Sequence, residues 1–247
     1  MFPVLQIGPF AVQVPGLIIL GGLWAGLTLS ERLVEQRRNT PMSPAQVTNL
    51  ALLSILAGII GARLGYLLLF PSAFSLNPLT IVSLNPGLLD PWFGFSTAVL
   101  AAAVISQRNR FSAKLVLDVF TPFLAGLSAA ISLSNVASGV RYGLPTQMPW
   151  AVELFGANRH PAQLYDFLAA AVILAIIWQW RKTYELGEGK LFFIFLALSS
   201  AAFLFLEAFH ATGPSLLDGW RVVQILAWLA LAVSLWFLRK LGALQGP

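Results

Sequence analysis

The sequence predicts an all-α membrane protein: a polytopic bundle of about seven transmembrane helices, N-terminus outside and C-terminus in the cytoplasm. Three observations carry that expectation. Hydrophobic residues make up 57% of the chain and charged ones 10%, against about 25% charged in a soluble domain. Apolar segments of near-spanning length recur along its whole extent. Lys and Arg gather in alternate connections between those segments.

A bilayer core takes about 20 mainly apolar residues per helix. The segments that meet or approach this are 14–32, 46–70, 91–106, 114–137, 162–181, 190–210 and 219–239, the third being the shortest. Runs this long lack the period-two alternation of an outer-membrane barrel. The stretch from Met1 to Pro15 is neutral and has no basic leader, so the first apolar segment reads as a spanning helix rather than a cleaved signal. With no internal repeat and short connections, residues 1–247 read as a single membrane-embedded domain.

Orientation follows the basic residues, which stay on the cytoplasmic side. Arg32, Arg37 and Arg38 follow the first helix, and Arg108, Arg110 and Lys114 the third. Arg181, Lys182 and Lys190 follow the fifth, and Arg239 and Lys240 end the seventh. These are 11 of the 15 Lys and Arg residues, while 71–90 and 211–218 contain none. The net charge of +5 is thus a topology signal, and no nucleic-acid partner is expected. The chain has no cysteine, which excludes a disulfide, a thiolate metal site and a cysteine nucleophile of its own.

Two outer segments carry turn chemistry. Residues 71–90, with Pro71, Pro78, Pro86 and Gly87, suggest a short interfacial helix among turns. Residues 138–161, with Gly139, Gly143, Pro145, Pro149 and Gly156, read as an ordered lid or hairpin anchored by Trp150.

Polar residues inside an apolar span need a reason. Counting from the loops, Arg63, Asn135, His160, Gln163, Asp166, Glu207, His210, Arg221 and Gln224 all fall in the outer leaflet. Arg63 lies about 10 Å deep at 1.5 Å per residue. Taken singly, each has a structural reading: Arg63 snorkelling or pairing with Glu207, Asn135 bonding a neighbouring helix, His160 capping the fifth helix. Together they predict a polar cavity open to the outer side, whose cations suit an anionic head group, since Arg presents a fork to phosphate oxygens.

The stretch Gly139-Val-Arg-Tyr-Gly-Leu-Pro-Thr-Gln-Met-Pro-Trp150, followed by Arg159-His-Pro-Ala-Gln-Leu-Tyr-Asp166, resembles the prolipoprotein diacylglyceryl transferase family. Gly61-Ala-Arg-Leu-Gly-Tyr66 is similar to that family's Gly-Gly-Arg-x-Gly-Tyr, Glu207 in Leu-Glu-Ala-Phe-His to its Val-Glu-Phe-Phe-Arg, and Gln224-Ile-Leu to its last-helix Gln-Ile-Leu. The resemblance implies transfer of a diacylglyceryl group from phosphatidylglycerol to the thiol of a lipobox cysteine on a preprotein, in a bacterial plasma membrane. The nucleophile then belongs to the substrate, and no cofactor or metal is expected. His160 and Glu207 become the catalytic candidates. Arg63, Asn135, Gly139, Arg141, Gln163, Tyr165, Asp166, Arg221 and Gln224 become the candidates for binding phosphatidylglycerol, or another anionic phospholipid, and lipobox-containing preproteins.

The chain also departs from the family pattern. Two family arginines fall on Ser132 and Phe203, a glutamate on Val140, a histidine on Phe93 and a first-helix tyrosine on Pro15. The alternative reading is therefore a non-catalytic paralogue that binds anionic phospholipid or a lipoprotein precursor. A transporter is disfavoured because no polar residues continue through the inner half.

Overall fold

The structure, a computed structural model, describes residues 4–7, 10–37, 40–72, 86–211, 215–216 and 220–242. Among these residues it is all-helical, with seven helices joined by turns and three two-stranded antiparallel hairpins. The helices are α1 (Val14–Glu35), α2 (Pro44–Leu69), α3 (Pro91–Arg108), α4 (Ala113–Ser138), α5 (Ala162–Trp180), α6 (Lys190–Leu206) and α7 (Val222–Lys240). The hairpins pair β1 (Val4–Ile7) with β2 (Phe10–Gln13), β3 (Val152–Leu154) with β4 (Ala157–Arg159), and β5 (Ser215–Leu216) with β6 (Trp220–Arg221).

Local chemistry sets the helix ends. Ser43 and Gln46 form a reciprocal capping box ahead of Pro44, at 2.8 and 3.3 Å. Asp90 caps α3 by accepting from the Phe93 N–H at 2.8 Å, with Pro91 in the first turn. Ser112 caps α4 through the Leu115 N–H. Gly139, at φ 79°, closes α4 in the left-handed conformation that glycine adopts without strain.

Among the described residues six helices are long and apolar enough to cross a membrane, and α3 is not one of them. Its 18 residues end in Gln107 and Arg108 and include Pro91, Gly94, Ser96 and Thr97. It packs lengthwise along α2, where Gly58, Gly61 and Gly65 admit Ala98, Thr97 and Phe93. Of the turn-rich segment expected to hold an interfacial helix, 73–85 lies outside the described residues, and Pro86–Leu88 forms a single 3₁₀ turn.

The central packing is α1 on α4. A Cβ on Gly22 would stand 2.0 Å from that of Ala130, and one on Gly26 would stand 2.9 Å from the Phe123 carbonyl oxygen. Small residues one turn apart let two backbones approach, which in lipid replaces hydrophobic driving force with dispersion contact. Pro122 interrupts α4 here, and the Phe123 N–H bonds to Ser30 Oγ of α1 at 3.2 Å. Leu33, Ile177, Leu191, Phe195 and Leu238 fill the space between α1, α5, α6 and α7.

The basic connections meet at one end. The Arg37 guanidinium donates to the carbonyls of Arg181 and Tyr184. Beside them the fully buried Asp118 accepts from the N–H groups of Gly187, Gly189 and Phe192 at 3.0, 2.8 and 3.1 Å, pinning the α5–α6 turn. The expected site residues lie at the other end.

Candidate active site

Glycine139 ends α4, and the chain turns sharply so that Arg141, itself at φ 58°, points back across the bundle. Residues 142–144 then pair with the segment leaving α6. Leu144 N–H bonds to Phe209 O at 2.8 Å, and Ala211 N–H to Tyr142 O at 3.1 Å. α6 itself tightens into a 3₁₀ turn over Glu207–Phe209. This pairing delivers Glu207 and His210 to Arg141, and α5 delivers Asp166 from near its start.

The result is a four-residue cluster. Arg141 Nη2 lies 3.2 Å from Glu207 Oε2, and its Nε 3.7 Å from Asp166 Oδ2. His210 Nε2 lies 3.1 Å from Asp166 Oδ2, and its Nδ1 3.0 Å from the Arg141 carbonyl. Glu207 and His210 are buried, whereas the Arg141 side chain is 36% exposed. Its guanidinium also stands 5.7 Å from the centre of the Phe203 ring.

Hydrogen-bond accounting constrains the histidine. A carbonyl only accepts, so Nδ1 carries a hydrogen. Nε2 then faces the Asp166 carboxyl group.

Arg141 and Asp166 stand at the polar end of a cavity of about 330 Å³ between α4, α5 and α6. Asn135 and Ser132 join them, and Ala125, Ile173, Phe195 and Phe203 supply apolar wall. From Asn135 to Ala125 the cavity follows α4 for ten residues, about 15 Å at the helical rise.

Of the residues expected to face one cavity, the structure brings Asn135 and Asp166 to its lining, joined by the binding candidate Arg141 with Glu207 behind it. His160 lies one layer further out. Its Nδ1 is 3.4 Å from the Tyr165 hydroxyl, which also accepts from Trp150 Nε1 at 2.7 Å, and its ring packs edge-on against Phe209. Arg63 stays with its own hairpin, donating to Leu88 O at 2.9 Å, because α2 packs on α3 rather than on α4–α6. It does not line this cavity, and Glu207 takes Arg141 as its partner. Gln163 lines a different cavity. Gln224 is half-buried on the first turn of α7, outside the lining, and the Arg221 side chain lies outside the described residues. His210 is the member that sequence reasoning left unassigned. Its signal was its spacing, one turn after Glu207 at the same end of α6.

Comparison with known proteins places this geometry. The prolipoprotein diacylglyceryl transferase family profile matches residues 3–239. The phosphatidylglycerol–prolipoprotein diacylglyceryl transferase of Bordetella parapertussis is 31% identical over 211 residues, covering 83% of this chain and 80% of its own. That of Aliivibrio salmonicida is 30% identical over 196 residues, covering 77% and 69%. That of Corynebacterium diphtheriae is 23% identical over 252 residues, covering 93% and 88%. The chain belongs to the prolipoprotein diacylglyceryl transferase family.

Proposed function

We propose that the chain takes phosphatidylglycerol, or a similar anionic phospholipid, into the α4–α5–α6 cavity and transfers its diacylglyceryl group to the cysteine thiol of a preprotein. It would do so as one domain of a bacterial plasma membrane, spanning it with all seven helices, N-terminus outside and C-terminus in the cytoplasm. The carrying observation is the cavity itself: a partly exposed guanidinium beside the Asp166–His210 pair at one end, apolar wall beyond.

The roles follow from chemistry and reach. Arg141 offers the remaining donors of its fork to a phosphate oxygen. Buried Glu207 positions it. Sulfur attacks the glycerol carbon that bears the phosphate, the C–O bond breaks, and glycerol phosphate leaves with the bonding electrons. The Asp166–His210 pair receives the thiol proton and returns one to the departing phosphate, ending in its starting state. His160 and Tyr165 frame the mouth.

A second reading has its own support. Ser132 and Phe203 line the cavity where the family pattern has arginines, and Val140 and Phe93 replace its glutamate and histidine. Phosphate contact then rests mainly on Arg141. Each positioned acid–base group is worth about 10²- to 10⁴-fold in rate, so turnover should be slow and growth rescue of cells depleted of the ordinary enzyme poor.

The test is purified chain with phosphatidylglycerol and a cysteine-bearing lipobox peptide, read by mass spectrometry of the thioether. Slow product that falls about 10²-fold or more in Asp166→Asn and Arg141→Ala is expected. Bound lipid with no product at any enzyme concentration would establish the non-catalytic reading instead.

A further inference from the structure

A second cavity, of about 410 Å³, lies beside the first, between the start of α1, the end of α4, β3 and the start of α5. Its walls are aliphatic, with Val14, Val136, Val152, Leu154 and Leu164 among them. Gln163 is the polar exception. The residue is 3% exposed, and its Nε2 is buried with no hydrogen-bond partner among the described residues. A buried donor left unmet is rare in native structures and marks a missing acceptor.

The strand forming one wall is also incomplete. β3 pairs with β4 along one edge, and β4 is covered beyond by residues 144–146 through Thr146 N–H to Asn158 O and His160 N–H to Leu144 O. Among the described residues, the other edge of β3 makes no backbone pairing. Val152 and Leu154, two residues apart, share the face that meets the cavity. An open strand edge beside an apolar pocket is the arrangement by which sheets bind extended peptides.

We infer that this cavity, Gln163 and the β3 edge seat an extended apolar peptide segment: the acceptor's own chain next to its reactive cysteine. One backbone carbonyl of that segment accepts from Gln163 Nε2, and an apolar side chain fills the cavity. Among the described residues the lining holds no charged side chain, so a phosphate would find no counter-ion there. Gln163 precedes Asp166 by one turn of α5, and side chains so spaced lie about 5–6 Å apart. A peptide held at Gln163 therefore carries a neighbouring thiol to the Asp166–Arg141 end of the first cavity. This assignment rests on the transfer reading above.

The experiment uses the full chain in detergent and a fluorescent Leu/Ala-rich peptide with serine in place of the acceptor cysteine, so that binding is measured without reaction. Gln163→Met keeps the volume and removes the donor, and should weaken the peptide about fivefold. Leu154→Trp fills the cavity and should weaken it further, with retention of phosphatidylglycerol unchanged in both. Wild-type peptide affinity in both variants would overturn the inference. So would loss of phosphatidylglycerol with the peptide unaffected, which would make this an acyl-ester site. Peptide binding that depends on Gln163 in a chain that never forms thioether would uphold the peptide site and sink only the transfer reading.

Discussion

Arg141 holds its place in a backbone conformation that L side chains avoid. At φ 58° a residue with a Cβ is strained, by about 1–2 kcal/mol, and the contacts to Glu207, Asp166 and Phe203 offset that cost. Arg141→Ala loses the contacts and keeps the strain, whereas Arg141→Gly loses both. Both should abolish most transfer, but thermal unfolding in detergent should find the glycine variant about 1 kcal/mol more stable. The same scale decides which family residues are worth restoring. Ser132 and Phe203 line the cavity, while Val140 is 56% exposed and Phe93 is packed against Gly65. Ser132→Arg with Phe203→Arg should therefore raise thioether formation by about tenfold or more, and Val140→Glu alone should not. Depth was legible in the sequence, because residues can be counted inward from the loops. Angle around the helix axis was not. Arg63 and Asp166 have similar depth, yet one turns to α3 and the other to α6. Gln163 and Asp166 are one turn apart and reach different cavities.

At the scale of elements, apolar runs made the helices readable to within a few residues, and Ser43, Asp90 and Ser112 fix three of the starts as side-chain acceptors. Pairing was not readable, because glycines spaced along α1 and α2 say that something approaches closely without saying what. Gly22→Val should drive a side chain into Ala130 and destabilise the chain by about 1–3 kcal/mol. Adding Ala130→Gly should recover part of the loss in a thermal melt. Asp118 makes a second elemental prediction. Asp118→Ala would leave the N–H groups of Gly187, Gly189 and Phe192 without their acceptor, at about 1–3 kcal/mol each where buried. Limited proteolysis should then cut between α5 and α6 well before the rest of the protein unfolds.

For the whole molecule, the two ends differ in kind. One gathers Arg37, Arg181 and Lys182 around a polar cavity, and the other gathers the paired Arg141, Asp166, Glu207 and His210. Facing the basic end to the cytoplasm gives a test suited to a cysteine-free chain. Single cysteines at Arg110 and Lys182 should resist an impermeant thiol reagent in intact cells, and one at the exposed Trp150 should react; the reverse pattern would invert the protein. The two glycine-lined pairings also set an order of assembly in time. α2 meets α3, the next helix in the chain, so that hairpin can close as soon as residue 108 has left the ribosome. α1 finds its main partner, α4, only when residues near 130 arrive, and until then its glycine face is solvated by lipid alone. A cross-link between Ala62→Cys and Gly94→Cys should form in nascent chains too short to shelter α1. Those chains are where a membrane chaperone, or a wrong helix, would have its chance.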